Sequence, residues 1–209
     1  MTSPANALAD ECRPRAKLAG AANCLKFEDG RIIAENFDGL GLTRDIECNL
    51  AFKMAGRRVL LLGAGGAARG AIQPFLEAGP AELVVASRKL EEVLELEATA
   101  PWRGRFKPCA MSDLGKDSYD LVVNATSASL FGELPDIPSS VFHKQSLAYE
   151  LAYGKGLTPF LGFARESGAH RLADGVGMLV EQAAEAFYWW RGKRPETGRV
   201  IEQMTVPLI

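Results

Sequence analysis

The chain has 209 residues, 47% of them hydrophobic, which is enough for a buried core, and its 24 Lys and Arg against 26 Asp and Glu leave a net charge of −2. That balance gives no general attraction to nucleic acid or to an anionic membrane, and no apolar run approaches the roughly 18 residues that span a bilayer. Cys12, Cys24, Cys48 and Cys109 form no CxxC pair, and only His143 and His170 could join them, so neither a disulfide framework nor a metal site is indicated.

The polar start Met1-Thr2-Ser3-Pro4 lacks the pattern of a signal peptide, and a cytoplasmic location is expected. Residues 5–21 read as one or two helices, broken near Pro14 and closed by Gly20. Residues 23–27 and 31–35 read as a strand pair around Asp29-Gly30, a hairpin signal. Leu42, Ile46 and Leu50 then mark a helix over 40–52. From Arg57 onward strands and helices alternate: strand 58–63, helix 66–78, strand 82–87, helix 89–99, a weaker strand near 105–110, and an apolar strand from Tyr119 to Thr126. A further strand is expected within 146–152, a helix over 158–167 begun at Pro159, and a long helix from Gly175 to Trp190. Alternation of this kind predicts an α/β fold, a doubly wound parallel sheet covered on both faces.

The most informative stretch is Val59-Leu60-Leu61-Leu62-Gly63-Ala64-Gly65-Gly66-Ala67-Ala68-Arg69-Gly70. It reads as a buried strand, a tight turn and the first turns of a helix. Gly63 would make the turn, Gly65 would let the backbone approach a pyrophosphate, and Ala68 or Gly70 would let the helix pack close to the strand. The helix N-terminus would then face the anion. At the end of the second strand, where an acid would accept the ribose 2′-hydroxyl of NAD, stands Ser87-Arg88-Lys89. Two cations and a hydroxyl suit a 2′-phosphate, so the expected cofactor is NADP.

In combination these motifs resemble the shikimate dehydrogenase family. The matching stretches run in order: Gly20-Ala21-Ala22-Asn23, Glu35-Asn36-Phe37-Asp38-Gly39, the glycine turn, Ser87-Arg88-Lys89, and Asn124-Ala125-Thr126-Ser127. They continue with Tyr153 before Lys155-Gly156-Leu157-Thr158-Pro159-Phe160, and end with the long block Asp174 to Ala184. The resemblance implies a Rossmann-like NADP-binding domain over 53–174 and a partial N-terminal substrate-binding domain over 1–52, joined by a C-terminal helix over 175–205. It also implies an enzyme that uses NADPH to reduce 3-dehydroshikimate to shikimate.

By similarity, Asp38 would be catalytic and, with Asn23, Tyr153 and Gln182, would bind the substrate. Gly63, Ala64, Gly65, Gly66 and Ala67 would take the pyrophosphate, and Ser87, Arg88 and Lys89 the 2′-phosphate. Asn124 and Thr126 would also contact the nucleotide, while Leu151 and Gly175 would lie near the nicotinamide. Taken singly, Asn23 reads as a turn residue, Tyr153 as a core aromatic and Gln182 as a surface residue; their joint order gives them the functional reading.

The sequence also departs from the family pattern. In the family a Ser-x-Ser substrate motif and a Pro-Phe-Lys segment normally precede the helix matched by Ala9-Asp10-Glu11, and counting back from that match puts Thr2 where the lysine falls, so the chain is expected to start after both. An ammonium can give a proton to a developing alkoxide and an ionised Asp38 cannot, a loss worth about 100- to 10,000-fold in rate. Lys17 and Lys26, the nearest cations in sequence, sit in no matching motif. Phe37 stands where threonine is usual, Glu35 replaces an aspartate, and Ala148-Tyr149-Glu150 lacks the aspartate usual before the tyrosine segment. Two other readings therefore stand beside the first: a non-enzymatic NADP-binding relative, and a dehydrogenase of quinate or another cyclic hydroxy acid. Strand edges left open at the front of the chain are expected to pair in a homodimer.

Overall fold

The computed structural model describes residues 4–99, 101–154 and 156–208. Thr2 and Lys155, both used in the sequence comparison, lie outside the described residues. Helix α1 (Pro4–Leu8), strand β1 (Glu11–Cys12), helix α2 (Pro14–Ala19) and strands β2 (Cys24–Glu28) and β3 (Arg31–Glu35) form the front of the chain. Helix α3 (Asp38–Arg44) follows and runs straight into a wide π turn, Asp45–Asn49. The three strands make a small sheet in the order β1-β3-β2. β2 and β3 are antiparallel, from Cys24 opposite Glu35 to Glu28 opposite Arg31, and Asp29 and Gly30 turn between them at φ 51° and 72°.

The short strand β1 interrupts the region expected to be helical over 5–21. Asp10 N–H donates to the Ile32 carbonyl at 2.9 Å and Arg13 N–H to that of Ala34 at 2.9 Å, so pairing with β3 overrides helix propensity there. Pro14 then starts α2, and Gly20 ends it at φ 66°.

The second sheet has six strands, all parallel: β4 (Arg58–Leu62), β5 (Glu82–Ser87), β6 (Lys107–Ala110), β7 (Leu121–Asn124), β8 (Leu147–Glu150) and β9 (Arg171–Ala173). Their spatial order is β6-β5-β4-β7-β8-β9. The chain winds outward from β4 through β5 to β6, then crosses back to β7 on the other side. The crevice at this reversal lies at the C-terminal ends of β4 and β7, where doubly wound sheets bind ligands. Helices α4 (Gly66–Glu77), α5 (Leu90–Ala98) and α6 (Pro159–Glu166) cover the sheet, α7 (Val176–Arg191) packs mainly against α3, and α8 (Gly198–Met204) follows α7.

Val59, Leu60, Leu61 and Leu62 of β4 are fully buried, with Val59 and Leu61 facing one core and Leu60 and Leu62 the other. Each contributes about 1.5–3 kcal/mol by leaving water. This two-sided burial accounts for the continuous apolar run in the sequence.

Two further expectations change. β9 carries too weak an apolar signal to be read as a strand, and the C-terminal helix expected over 175–205 is two helices. Gly192 ends α7 in the left-handed region at φ 67°, donating to the Tyr188 carbonyl at 2.7 Å, before α8 begins.

Candidate active site

A cleft of about 640 Å³ opens at the reversal of the large sheet. Gly63 to Ala67 form one wall, Ser87, Arg88 and Lys89 one end, and Thr126, Leu151 and Tyr153 the other. Gly63 has φ 112°, and a Cβ there would meet the Ala125 carbonyl oxygen at 2.9 Å, so the turn requires glycine. Gly65 is the residue before α4 and has open space within 4 Å of where a Cβ would stand. The first turn of α4 has no side-chain cap, leaving its N–H groups for an anion. Gly70, expected to ease helix–strand packing, instead faces α3: a Cβ on Gly39 would lie 1.9 Å from the Gly70 carbonyl oxygen. Of these two residues, Ala68 is the one buried toward the sheet.

At the far end, Asn124 is fully buried behind the cleft wall. Its Oδ1 accepts from Thr126 N–H at 3.1 Å and Thr126 Oγ1 at 2.7 Å, so it shapes the loop that carries Thr126. Asn124 Nδ2 donates to Glu150 at 3.0 Å. Glu150, fully buried at the end of β8, also accepts from Ser129 Oγ, from Thr158 Oγ1 at 3.3 Å and from Ala152 N–H at 3.2 Å. Burial raises its pKa and these donors partly offset the rise. Glu150 is thus the hub that ties Ala152 to the loop after β7, while Leu151 N–H donates to the Asn124 carbonyl at 3.1 Å. Gly175 crosses the same segment so closely that a Cβ would lie 2.1 Å from the Leu151 carbonyl oxygen.

A second cluster stands at the start of α3. Asn23 Nδ2 donates to Asp38 Oδ1 at 2.7 Å and lies 3.3 Å from Gln182 Oε1, so three residues from distant parts of the chain meet. Asn36, quoted in the motif but given no role there, donates to Asp38 Oδ2 at 3.5 Å and to the Ala21 carbonyl at 3.1 Å, and its Oδ1 accepts from Asp38 N–H at 3.0 Å. Burial pushes the Asp38 carboxyl above the ordinary aspartate range, with the Asn23 and Asn36 amides pulling it partly back. Tyr153, half exposed, belongs to the wall of the cleft.

Of the two lysines nearest in sequence, Lys26 pairs with Glu28 at 2.6 Å and lies over the Trp189 ring, and neither it nor Lys17 makes a hydrogen bond with this cluster among the described residues. Phe37, which stands where threonine is usual in the family, packs edge-on against Trp189 and beside Cys24 and Ala186 in a small core.

α7 brings Gln182 to this place through a polar core between α3, β8 and α7. Asp45 accepts from Tyr149 OH at 2.7 Å and from Asn49 Nδ2 at 2.9 Å. Its carboxylate presses on Gly177, where a Cβ would stand 2.0 Å away, and Gly41 meets Gln182 N at 2.6 Å in the same sense. Asp45 is legible in the sequence as a polar residue, but its burial depends on the contact of α3 with α7 and leaves no local mark.

Among the described residues no cluster of His, Cys, Asp and Glu could hold a metal ion, and no helix is long and apolar enough to cross a membrane.

The sequence profile of the shikimate / quinate 5-dehydrogenase family matches residues 47–131, and that of the shikimate 5′-dehydrogenase C-terminal domain matches residues 175–205. The chain is 54% identical to shikimate dehydrogenase (NADP(+)) of Nitrosospira multiformis over 90% of its own length and 68% of that protein's. With the enzyme of the same name from Methylobacillus flagellatus it shares 50% identity, covering 94% of this chain and 73% of the relative. In structure it matches an Ael1 enzyme from Pseudomonas putida with a TM-score of 0.94 and 60% identity, over 100% of this chain and 78% of that one. A shikimate 5-dehydrogenase from Thermus thermophilus, solved in complex with NADP(H) and shikimate, matches with a TM-score of 0.79 and 28% identity, over 96% of this chain and 74% of the other. Motif order, fold and likeness to these proteins converge: the chain belongs to the shikimate dehydrogenase family.

Proposed function

We propose that this protein is an NADP-dependent oxidoreductase that interconverts shikimate and 3-dehydroshikimate. The observation that carries the reading is the meeting of Asn23, Asp38 and Gln182, with Asp38 on α3, which packs directly against the helix that opens the nucleotide cleft.

The residues present fit NADP. The glycine turn leaves open space at Gly65 and an uncapped helix N-terminus for the pyrophosphate, and Arg88 and Lys89 supply charge for the 2′-phosphate. Leu151 and Gly175, held by their own close crossing, would border the nicotinamide. When bound, the nucleotide supplies or accepts the hydride.

Asp38 then handles the proton. Burial raises its pKa, which makes the carboxylate a stronger base for the hydroxyl proton as shikimate is oxidised, and the proton it takes up in that direction is the one it returns to the alkoxide as the ketone is reduced. Asn23 and Gln182 present amides to the ring hydroxyls, and Tyr153 adds a phenol from the nucleotide side. A site built of such groups discriminates strongly against analogues lacking hydroxyls.

The division into residues 1–52, 53–174 and 175–205 belongs to the same proposal, as does a cytoplasmic setting. So does self-association through β2, an edge strand of the small sheet on which Phe27 is 74% exposed. The test is NADP-dependent oxidation of shikimate, with quinate assayed beside it. NADPH binding without turnover of either acid would refute the enzymatic reading, and faster turnover of quinate would refute the assignment of substrate.

A further inference from the structure

The 2′-phosphate corner of the cleft contains an acid as well as its two cations. Glu92, in the first turn of α5, lines the cleft beside Ser87, Arg88 and Lys89. Ser87 Oγ lies 3.4 Å from Glu92 Oε2, and Lys89 Nζ lies 3.6 Å from Glu92 Oε1. The carboxylate therefore occupies two of the three groups that would hold the phosphate, and it does so from within the chain.

An acid in the first turn of a helix is ordinarily explained by the helix dipole, and Glu91 beside it is exposed and satisfies that explanation. Glu92 differs because it points at the donors of the nucleotide corner. We infer that Glu92 is a specificity-determining residue that competes with the 2′-phosphate for Ser87 and Lys89 and so limits the preference for NADP(H) over NAD(H). This rests on the NADP reading of the cleft given above.

A dianionic phosphate entering this corner meets a negative charge and must displace it from Lys89 and Ser87 by turning the side chain, which is 47% exposed, into solvent. A free 2′-hydroxyl carries no charge and can accept or donate, so NAD(H) incurs no such repulsion.

Glu92→Gln keeps the shape of the side chain and removes the charge, and Glu91→Gln removes a charge one residue away, outside the corner. Titration of the two variants and the unaltered chain with NADPH and with NADH, at low and high salt, tests the inference. The expected result is that Glu92→Gln binds NADPH about 5- to 50-fold tighter at low salt, with NADH affinity within about 2-fold and the gain shrinking as salt rises. Glu91→Gln should leave both affinities within about 2-fold. Retained NADH binding would show that the variant cleft is folded. Equal gains for the two nucleotides, no gain, or the same gain from Glu91→Gln would overturn the role of Glu92 alone. Failure of the unaltered chain to bind NADPH would overturn the reading of the cleft and this inference with it.

Discussion

Replacing Gly39 by alanine should separate two functions that the fold couples, because Gly39 adjoins Asp38 and lies where α3 touches α4. A Cβ built on Gly39 stands 1.9 Å from the Gly70 carbonyl oxygen, 2.8 Å from its carbon and 3.0 Å from Pro74 Cγ. The first two are backbone atoms of a helix, so no side chain can rotate away. Relief requires α3 and α4 to part by about 1 Å, and overpacking of this kind costs about 1–3 kcal/mol. The nucleotide turn is held separately, by Gly63 N–H donating to the Ala86 carbonyl at 2.7 Å and Ala125 N–H to that of Leu62 at 2.9 Å. The expected phenotype is therefore a lower urea midpoint, NADPH affinity within a few-fold of the unaltered chain, and kcat/KM for shikimate lower by about 100-fold, since a displacement near 1 Å of a reacting group has that effect. Unchanged unfolding and unchanged kcat/KM in Gly39→Ala would refute the claim that this contact positions Asp38.

Two other perturbations follow from the same geometry. Arg88→Ala should weaken NADPH by about 1.5–3 kcal/mol, the range for hydrogen bonds to charged groups, while leaving NADH almost unchanged; equal losses in a fluorescence titration would contradict the 2′-phosphate assignment. Glu150→Gln should alter how stability depends on pH. Burial raises the Glu150 pKa, so the folded chain binds this proton more tightly than the unfolded chain, and the stabilisation is complete in acid below the ordinary carboxylate range and lost as pH climbs through the raised value. Urea midpoints measured across that window should show the advantage of the unaltered chain over the variant shrinking as pH rises; a widening gap would contradict the assignment.

Much of the nucleotide half was legible in the sequence because its requirements are local. Gly63 must adopt φ 112°, β4 must be apolar on both faces, and Arg88 follows β5 immediately; each leaves a mark within a few residues. The substrate half depends on contacts between residues far apart. Asn23 meets Gln182 across 159 positions, and only their shared place in an ordered set of family motifs singled them out. Elements held by tertiary pairing were missed for the same reason: β1 exists because β3 lies beside it, and β9 because β8 does. Asn36 and Glu92 were visible as residue types, but their roles depend on which way the side chains turn once α3 and α5 are placed. Glu150 was noticed as a departure from the family pattern, and its place as a hub emerged only when four donors from separate segments closed around it.

We propose that Asp38, held by Asn23 and Asn36 and with its pKa raised by burial, moves the proton in an NADP-dependent reaction on shikimate. The most direct test compares the unaltered chain with Asp38→Asn, following NADPH formation from NADP and shikimate and measuring NADPH binding on the same preparations. The expected result is turnover by the unaltered chain, a fall of about 100- to 10,000-fold in Asp38→Asn, and equal NADPH affinity in the two. Turnover by Asp38→Asn at the rate of the unaltered chain, or none by an unaltered chain that binds NADPH, would contradict it.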